Sequence, residues 1–248
     1  MVVIGYRRPG HLRRTITSFL EVNTYPHVEL ILADDGSPRR MQEEMRELPF
    51  HKFAFSDRNG GLGANSNRGL RAASGDFVLQ LQDDWNCRGP GGFLEAAIEV
   101  SQERPELGFL RLTDPQPEVT YQVWRSSGGR TVRIYDFAQP FADPYLYTDQ
   151  PHLKSRAALE RLGPYRESRY TALCEMDMRD RFNAQREIRA AFVEGFDAFE
   201  HIGSDLSFNR PLPHARIGML MDRSPGLRSL ARLYRRLRAG GKPEATGR

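Results

Sequence analysis

Cysteine is scarce in this chain of 248 residues, which contains only Cys87 and Cys174. Two cysteines are too few for a disulfide framework or a cysteine-rich zinc site, so a reducing cytoplasm is the simplest expected location. Long apolar runs are missing as well, since a stretch such as 28–33 is far too short to cross a bilayer. Residues 1–20 carry four arginines and no unbroken apolar core, so they predict no signal peptide.

The chain has no net positive charge outside its C-terminal end. The net charge is +4, but the segment from Asp222 onwards holds eight basic and two acidic residues, which leaves −2 for the rest. A nucleic-acid-binding protein would spread positive charge over its folded surface, so we expect no nucleic-acid partner. With 39% hydrophobic and 27% charged residues, the composition indicates a globular chain of one large α/β domain or two small ones.

Strand and helix patterns alternate through the first half of the sequence. The β-rich runs are separated by helical patterns and lie at 2–6, 28–33, 52–55 and 77–81. This order predicts an α/β fold with a mostly parallel, Rossmann-like sheet flanked by helices. Ligands of such sheets bind beyond the carboxyl ends of the strands, which is where Asp34-Asp35 and Asp83-Asp84 lie.

The pattern changes after a predicted helix at about 91–102. Two β-rich segments, 119–124 and 131–135, flank a Ser-Ser-Gly-Gly turn and predict a hairpin. We expect a loop over 139–151 and helices at 154–162 and 174–183. The predicted organisation is a first half (1–110), a second half of the same domain (111–215) and a C-terminal tail (216–248).

The tail predicts a basic amphipathic helix, because residues 225–240 place leucines on one helical face and arginines on the other. Such a helix can lie on an anionic membrane surface, which predicts peripheral contact with the cytoplasmic face of a membrane. A partner-binding helix and a frayed terminus are the alternatives.

Asp83 and Asp84 follow the strand predicted at 77–81. Mg²⁺ and Mn²⁺ prefer carboxylate oxygens, and such a cation can neutralise the diphosphate leaving group of a nucleotide sugar. Adjacent carboxylates that leave a strand point in different directions, so one can hold the cation while the other holds a ribose hydroxyl. The alternative is a solvated turn, because aspartate is common after strands.

Asp34-Asp35-Gly36-Ser37 is ordinary turn chemistry, but one of its carboxylates can also accept a hydrogen bond from a pyrimidine base or a ribose. The glycine-rich run 60–63 precedes a helix, where backbone N–H groups can bind phosphate. Its spacing matches neither a P-loop nor a dinucleotide-binding motif, which favours a plain flexible turn.

Glu175, Asp177 and His201 are further candidates in the second half. A charged run at helical spacing is usually a solvated face, but either carboxylate can act as a general base on an acceptor hydroxyl. The His201 imidazole can bind a metal, although a lone histidine beside apolar residues is more often structural.

Taken together, these segments resemble a known family. The runs VIGYRRP, LILADDGS, NGGLG, NRGL and GDFVLQLQDD occur in one order, at 3–9, 30–37, 59–63, 67–70 and 75–84. This order resembles the nucleotide-binding half of glycosyltransferase family 2, whose members have the GT-A fold. The resemblance extends through 153–163 and the Glu175 segment to His201, and it covers about residues 2–205.

The resemblance implies a role for each residue of the donor site. Asp35 would contact the base and Asp83 the ribose of a nucleotide-sugar donor, which we expect to be UDP- or GDP-linked. Asp84 would hold Mn²⁺ or Mg²⁺ as the last aspartate of the DxD-type motif, and His201 matches a further metal ligand. Asp34 belongs to the same nucleotide-binding segment.

The resemblance also implies the catalytic step. Members of this kind invert the anomeric centre in one step, and their catalytic carboxylate corresponds to Glu175, with Asp177 as the nearby competitor. The family usually has aspartate where this chain has Glu175. Asn67 and Arg68 are assigned to the nucleotide site, with Arg68 replacing a basic residue that the family places beside the asparagine.

Two rival functions and an unknown acceptor complete the expectations. A nucleotidyltransferase would need a glycine-rich loop with a basic residue after the first strand, and residues 5–10 match it poorly. The other rival is a degenerate, non-catalytic domain that binds nucleotide sugar or scaffolds glycan assembly. The acceptor, whether a glycan, a lipid-linked sugar or a small molecule, is expected under residues 115–150. The aromatic residues there, which can stack on sugars or simply pack, are Tyr121, Trp124, Tyr145 and Tyr147.

Overall fold

A computed structural model of the chain describes residues 1–113, 119–139 and 145–203. Within these residues the helices are α1 (Pro9–Val22), α2 (Arg39–Arg46), α3 (Leu62–Ala72), α4 (Phe93–Glu103), α5 (Arg156–Leu162) and α6 (Thr171–Ala184). The strands are β1 (Val2–Gly5), β2 (Ile31–Asp34), β3 (Lys52–Phe55), β4 (Phe77–Gln82), β5 (Trp85–Cys87), β6 (Phe109–Arg111), β7 (Tyr121–Arg125), β8 (Thr131–Tyr135), β9 (His152–Ser155), β10 (Ala190–Val193) and β11 (Phe199–His201).

Nine strands form one sheet in the order β3-β2-β1-β4-β9-β6-β10-β8-β7. The pairings give β8 and β9 one direction and the other strands the opposite one, so the sheet is mixed but mostly parallel in sense. The α/β, Rossmann-like prediction is therefore confirmed. Because β6 spans residue 110, the sheet continues across the boundary expected between the two halves.

Apolar side chains bury the two faces of the sheet. Val2, Val3 and Leu32 are completely buried, and α1 adds Leu12 and Ile16 to the interior, at the helical spacing of its apolar residues. A separate apolar cluster surrounds Phe109, Met178 and Phe182 and fixes α6 to the second half of the sheet. Since Glu175 stands three residues before Met178, this packing also decides where the Glu175 side chain points.

Most elements agree with the sequence, and the disagreements lie in short strands. The strand at 52–55 and the second hairpin strand at 131–135 have the expected bounds. The expected helix at 154–162 begins only at Arg156, because Lys154 and Ser155 belong to β9, which pairs with β4 and β6. The sequence analysis also missed the short strands β5, β6, β10 and β11.

The predicted amphipathic tail (216–248) and part of the expected acceptor segment lie outside the described residues. Among the residues that the structure covers, no helix has the length and apolar character needed to cross a membrane.

Candidate active site

Three loops meet at the carboxyl edge of the parallel strands. Gly5 of β1 pairs with Asp34 of β2, and Ile4 pairs with Gln82 of β4. The segments 6–8, 35–37 and 83–84 therefore leave the sheet side by side. Both aspartate pairs of the sequence lie at this one edge, where ligands of α/β sheets bind.

Asp83 is completely buried, and the loop after β1 holds its carboxylate. Its Oδ2 accepts a hydrogen bond from the Tyr6 N–H at 3.0 Å, and its Oδ1 forms an ion pair with Nη2 of Arg8. Burial raises the pKa of Asp83 to about 7, although the Arg8 charge opposes the shift. Both carboxylate oxygens of Asp83, the residue expected to bind the ribose, thus have protein partners.

Asp84 is brought together with His201 by a small second sheet. Antiparallel pairing of β5 with β11 sets His201 opposite Trp85, with the two ring centroids 5.0 Å apart. The Nε2 atom of His201 lies 3.2 Å from Oδ2 of Asp84, which also accepts a hydrogen bond from Nη1 of Arg8 at 2.7 Å. The Oδ1 atom of Asp84 is buried and has no hydrogen-bond partner among the described residues.

Gly203 closes this corner against Asp84. A Cβ atom at position 203 would lie 2.2 Å from Oδ2 of Asp84, which is far inside van der Waals contact. The Ile202 N–H also donates to the backbone oxygen of Asp84 at 2.9 Å. The chain that follows β11 therefore passes directly over the Asp84 carboxylate, and only glycine fits at position 203 without displacing it.

Asp34 stabilises its own turn. Its carboxylate accepts hydrogen bonds from the N–H and hydroxyl of Ser37 and from the side-chain amide of Gln42, the last at 2.8 Å. The residue is completely buried. Its contacts are those of a structural turn, so its expected place in the nucleotide site stays a prediction without a matching feature in the described contacts.

Asp35 binds the glycine-rich turn instead. Its Oδ1 and Oδ2 accept the N–H groups of Gly60 and Gly61 at 2.9 and 2.8 Å. Burial raises the pKa of Asp35 despite these hydrogen bonds. Gly61 has a φ of +89° and its α-carbon faces the Ser168 carbonyl closely, so a Cβ there would lie 2.2 Å from that oxygen. The turn is therefore held by Asp35 and packed closely against the Ser168 backbone, whereas the sequence analysis favours a plain flexible turn.

Asn67 and Arg68 have different environments. The Asn67 amide donates to the Tyr165 carbonyl at 3.0 Å and accepts from the Tyr165 N–H at 2.8 Å, so it ties α3 to the loop before α6. The Nη1 atom of Arg68 donates to Oδ1 of Asn65 at 2.9 Å. The positive charge of Arg68 opposes the rise in the pKa of Asp35. Of the two, Arg68 is the one that adds positive charge at the carboxyl edge of the sheet.

Glu175 and Asp177 face different surroundings on α6. Asp177 accepts hydrogen bonds from Nε and Nη2 of Arg181 at 3.0 and 2.7 Å and lines an outer groove of about 400 Å³. The Glu175 side chain forms no hydrogen bond or ion pair with another described residue. Burial, and secondly the nearby charge of Asp149, raise the pKa of Glu175 to about 7. Of these two carboxylates, Glu175 is therefore the one whose environment suits a general base that works near neutral pH.

Sequence reasoning missed a buried polar cluster beside Glu175, formed by Gln80, Tyr147, Asp149, Lys154 and Tyr165. Lys154 donates to Oε1 of Gln80 at 2.9 Å, and Asp149 accepts from the hydroxyl of Tyr165 at 2.7 Å. Complete burial lowers the pKa of Lys154 to about 7, while Asp149 opposes the shift. The sequence analysis predicts a helix that begins at Lys154, whereas Lys154 lies in β9, and this difference hid the cluster.

Arg8 is the other residue that the sequence analysis left without a role. Its signal was a basic residue directly after the first strand, at the edge to which both aspartate pairs were assigned.

The aromatic residues expected near the acceptor divide into two groups. Tyr121 and Tyr145 are exposed. Trp124 is half-buried beneath Arg104, and Tyr147 is buried and hydrogen-bonded, so Tyr147 packs and presents no face to a sugar.

Solved structures resemble this fold at low sequence identity. The Staphylococcus aureus TarS fragment 1–349 shares 18% identity at a TM-score of 0.58, over 80% of this chain and 58% of TarS. A mannosyltransferase from Pyrobaculum calidifontis, PcManGT, solved with GDP-Man and Mn²⁺, shares 15% identity at a TM-score of 0.59, over 84% of this chain and 57% of its own. Both likenesses show the fold, which is that of GT-A glycosyltransferases.

Sequence comparison identifies the family. EpsH of Bacillus subtilis (strain 168), which bears a glycosyltransferase name, is 30% identical over 89 residues, 34% of this chain. The chain spans 26% of the length of EpsH, and so matches only a part of it. The family model described as glycosyl transferase family 2 matches residues 1–152, well over half of the chain. The chain therefore belongs to glycosyl transferase family 2.

Proposed function

We propose that the protein is an inverting glycosyltransferase that moves a sugar from a nucleoside-diphosphate sugar to an acceptor hydroxyl. The donor would bind at the carboxyl edge of β1, β2 and β4. Solved neighbours support this donor class, since TarS has been solved in complex with UDP-GlcNAc and PcManGT with GDP-Man. The chain matches only part of these proteins, so the identities of its sugar and its acceptor are left open.

One observation carries the proposal: β5–β11 pairing brings the His201 imidazole to a buried carboxylate at the ligand-binding edge of the sheet. Buried carboxylate oxygens usually have hydrogen-bond partners inside the protein. Asp84 instead keeps Oδ1 buried without a partner among the described residues. A buried carboxylate oxygen of this kind is suited to a cation or a ligand hydroxyl.

The donor set at this point fits a divalent cation. Asp84 offers a carboxylate oxygen and His201 offers an imidazole nitrogen. Mn²⁺ accepts both kinds of ligand, whereas Mg²⁺ would bind mainly to the carboxylate oxygen. No set of three or more His, Cys, Asp or Glu side chains suited to a metal occurs in the described part of the chain. Asp84 and His201 would thus hold the cation together with diphosphate oxygens and water. When bound, the cation would neutralise charge on the leaving diphosphate.

The remaining steps fall to side chains of the chain itself. Arg68 adds positive charge beside Asp35, and Asp35 fixes the turn at Gly60 and Gly61 against which the donor would lie. Glu175 would accept the proton of the acceptor hydroxyl as that oxygen attacks the anomeric carbon from the face opposite the diphosphate. Attack from that face inverts the anomeric centre.

Product analysis tests the proposal. The purified protein would be incubated with Mn²⁺ and with UDP- or GDP-sugars, and the released nucleoside diphosphate would be measured by chromatography. We expect slow release from one donor, which depends on Asp84 and Glu175. Release that is equal in wild type, Asp84→Ala and Glu175→Gln would contradict the assignment of these residues.

A non-catalytic nucleotide-sugar-binding or scaffold domain is the second candidate. The observation that favours it is the ion pairing of Arg8 with both Asp83 and Asp84, which places a protein cation on the carboxylates expected to serve the donor. Saturable donor binding without any release of nucleoside diphosphate would support this candidate over the transferase.

A further inference from the structure

The Arg8 guanidinium binds both aspartates of the Asp83–Asp84 pair. Its Nη1 donates to Oδ2 of Asp84 at 2.7 Å, and its Nη2 pairs with Oδ1 of Asp83. All three side chains are largely withdrawn from water, with exposed fractions of 11%, 0% and 6% for Arg8, Asp83 and Asp84. Two adjacent buried carboxylates need positive charge nearby, and Arg8 supplies it.

The backbone before Arg8 is held in an uncommon conformation. Arg7 has a φ of +58°, and every other non-glycine residue in the described ranges has a negative φ. Its N–H donates to Oγ of Ser37 at 2.8 Å, so the β2 turn fixes this conformation. Arg8 follows directly and precedes the first residue of α1. The chain thus retains local strain at the point where it directs a guanidinium towards two carboxylates.

The Oδ2 atom of Asp84 is a shared contact. It accepts a hydrogen bond from Arg8 and lies 3.2 Å from Nε2 of His201, so it belongs both to the ion pair and to the candidate cation site. A cation on Oδ2 would take the oxygen that Arg8 uses. A cation on Oδ1 would still lie within a few ångströms of the guanidinium, where like charges repel strongly in a buried site.

We propose that Arg8 is the resident counter-cation of Asp83 and Asp84, and that a divalent cation must displace it from Asp84. The inference rests on the cation site of the proposed function, and it assigns Arg8 the role of a competitor for that site. Competition of this kind is reciprocal. The contact between Arg8 and Asp84 weakens cation binding by the same factor by which a bound cation weakens that contact. The displaced guanidinium, a good partner for phosphate oxygens, would then be available to the donor diphosphate.

The test is binding of Mn²⁺ alone to the full chain, without nucleotide, measured from the electron paramagnetic resonance signal of free Mn²⁺. The variants are Arg8→Gln and, as a matched control, Arg7→Gln. The control removes the same charge from the same loop, but Arg7 is exposed and lies over the Tyr6 ring at 5.2 Å. We expect Arg8→Gln to bind Mn²⁺ about tenfold more tightly than wild type, and Arg7→Gln to stay within about twofold.

Equal or weaker Mn²⁺ binding by Arg8→Gln would overturn the proposal. So would tighter binding that survives in the double variant with Asp84→Ala, because the gained cation would then lie elsewhere. If Arg8→Gln does not fold, Arg8→Lys keeps the charge and loses the two-pronged contact. It should then bind Mn²⁺ more tightly than wild type, and unchanged affinity in a folded Arg8→Lys would also overturn the proposal.

The outcome is independent of sugar transfer. Tighter Mn²⁺ binding by Arg8→Gln in a protein that releases no nucleoside diphosphate would retain Arg8 as the competitor and contradict the transferase proposal. Metal-dependent release by wild type, with no gain in Mn²⁺ affinity in Arg8→Gln, would retain the transferase proposal and remove the role of Arg8.

Discussion

Glu175 and Asp177 stand two residues apart on one helix, yet only Asp177 has an ion-pair partner, Arg181 at 2.7 Å. Two residues correspond to about 200° around a helix, so the two carboxylates leave α6 on different sides. Glu175 lies on the same stripe as the buried residues Met178 and Phe182. The helix geometry therefore separates the two carboxylates that the sequence leaves as competitors for the catalytic role.

Substitution of these two residues should have unequal effects on catalysis. Glu175→Gln should lower kcat by about 100- to 10,000-fold, because it removes the group that accepts the acceptor proton. Asp177→Asn is the matched control, with a similar change on the outer side of α6, and should keep kcat within about threefold. Steady-state kinetics with the donor identified by the release assay would measure both. A larger loss in Asp177→Asn than in Glu175→Gln would reverse the assignment.

Activity should depend on pH through Glu175. A general base acts in its ionised form, and the pKa of Glu175 is about 7, so kcat/KM should rise with pH and level off above that value. The profile of Asp177→Asn should keep the same midpoint. An acid limb centred near the ordinary glutamate pKa of 4.5 would show that the base is a more exposed group.

The same shift should make Glu175 a destabilising residue at neutral and alkaline pH. Its pKa is raised on folding from 4.5 to about 7, so its favourable contribution is full below pH 4.5 and is lost as pH rises through 7. Glu175→Gln should therefore melt at a higher temperature than wild type at about pH 8, and the gap should narrow towards about pH 5. A lower Tm for Glu175→Gln at both pH values would indicate a structural contact instead.

Gly203→Ala should weaken cation-dependent nucleotide binding without unfolding the protein. The added Cβ would meet Oδ2 of Asp84 at 2.2 Å, so either the carboxylate or the chain after β11 must move. Gly10→Ala is a suitable control, because a Cβ there meets nothing within 4 Å. Calorimetric titration of nucleotide with Mn²⁺ would compare the two variants. Wild-type affinity in Gly203→Ala would show that the Asp84 position does not matter for binding.

Lys154 should make stability rise with pH. Its pKa falls from 10.5 to about 7 on folding, so the unfolded chain binds more protons than the folded one between those values. In that window the free energy of unfolding of wild type should rise relative to Lys154→Met by up to about 1.4 kcal/mol per pH unit. Urea unfolding at several pH values would measure the difference. Parallel pH curves for the two proteins would show that Lys154 stays charged in the folded state.

The fold was largely readable from the sequence because its first half is built from local patterns. The residue pattern within a short segment is enough to predict a strand such as β3 or a helix such as α1. The sequence pattern predicts a helix over part of β9, since a run of four residues has no distinctive period. The strand character of β9 comes from pairing on both sides with β4 and β6. The pairing of strands that are distant in sequence cannot be predicted from the residues of either strand alone.

The site was predictable only where a motif and a strand end coincide. Asp84 and His201 were both named from the sequence, but their contact depends on β5 and β11, each three residues long. The pairing of Arg8 with Asp83 and Asp84 depends on β1 and β4 being neighbours in the sheet, which the chain order of the strands does not reveal. The environment of Glu175 depends on Asp149, a residue in a segment that the sequence marks only as a loop.

The most direct test of the account is calorimetric titration of UDP and GDP into the wild-type protein and into Asp84→Ala, each with and without Mn²⁺. Our account predicts that one nucleotide binds wild type tightly, that removal of Mn²⁺ weakens this binding strongly, and that Asp84→Ala removes the dependence on Mn²⁺. Absence of binding by both nucleotides in Mn²⁺, or equal binding with and without Mn²⁺ in wild type, would contradict a cation-assisted donor site at Asp84.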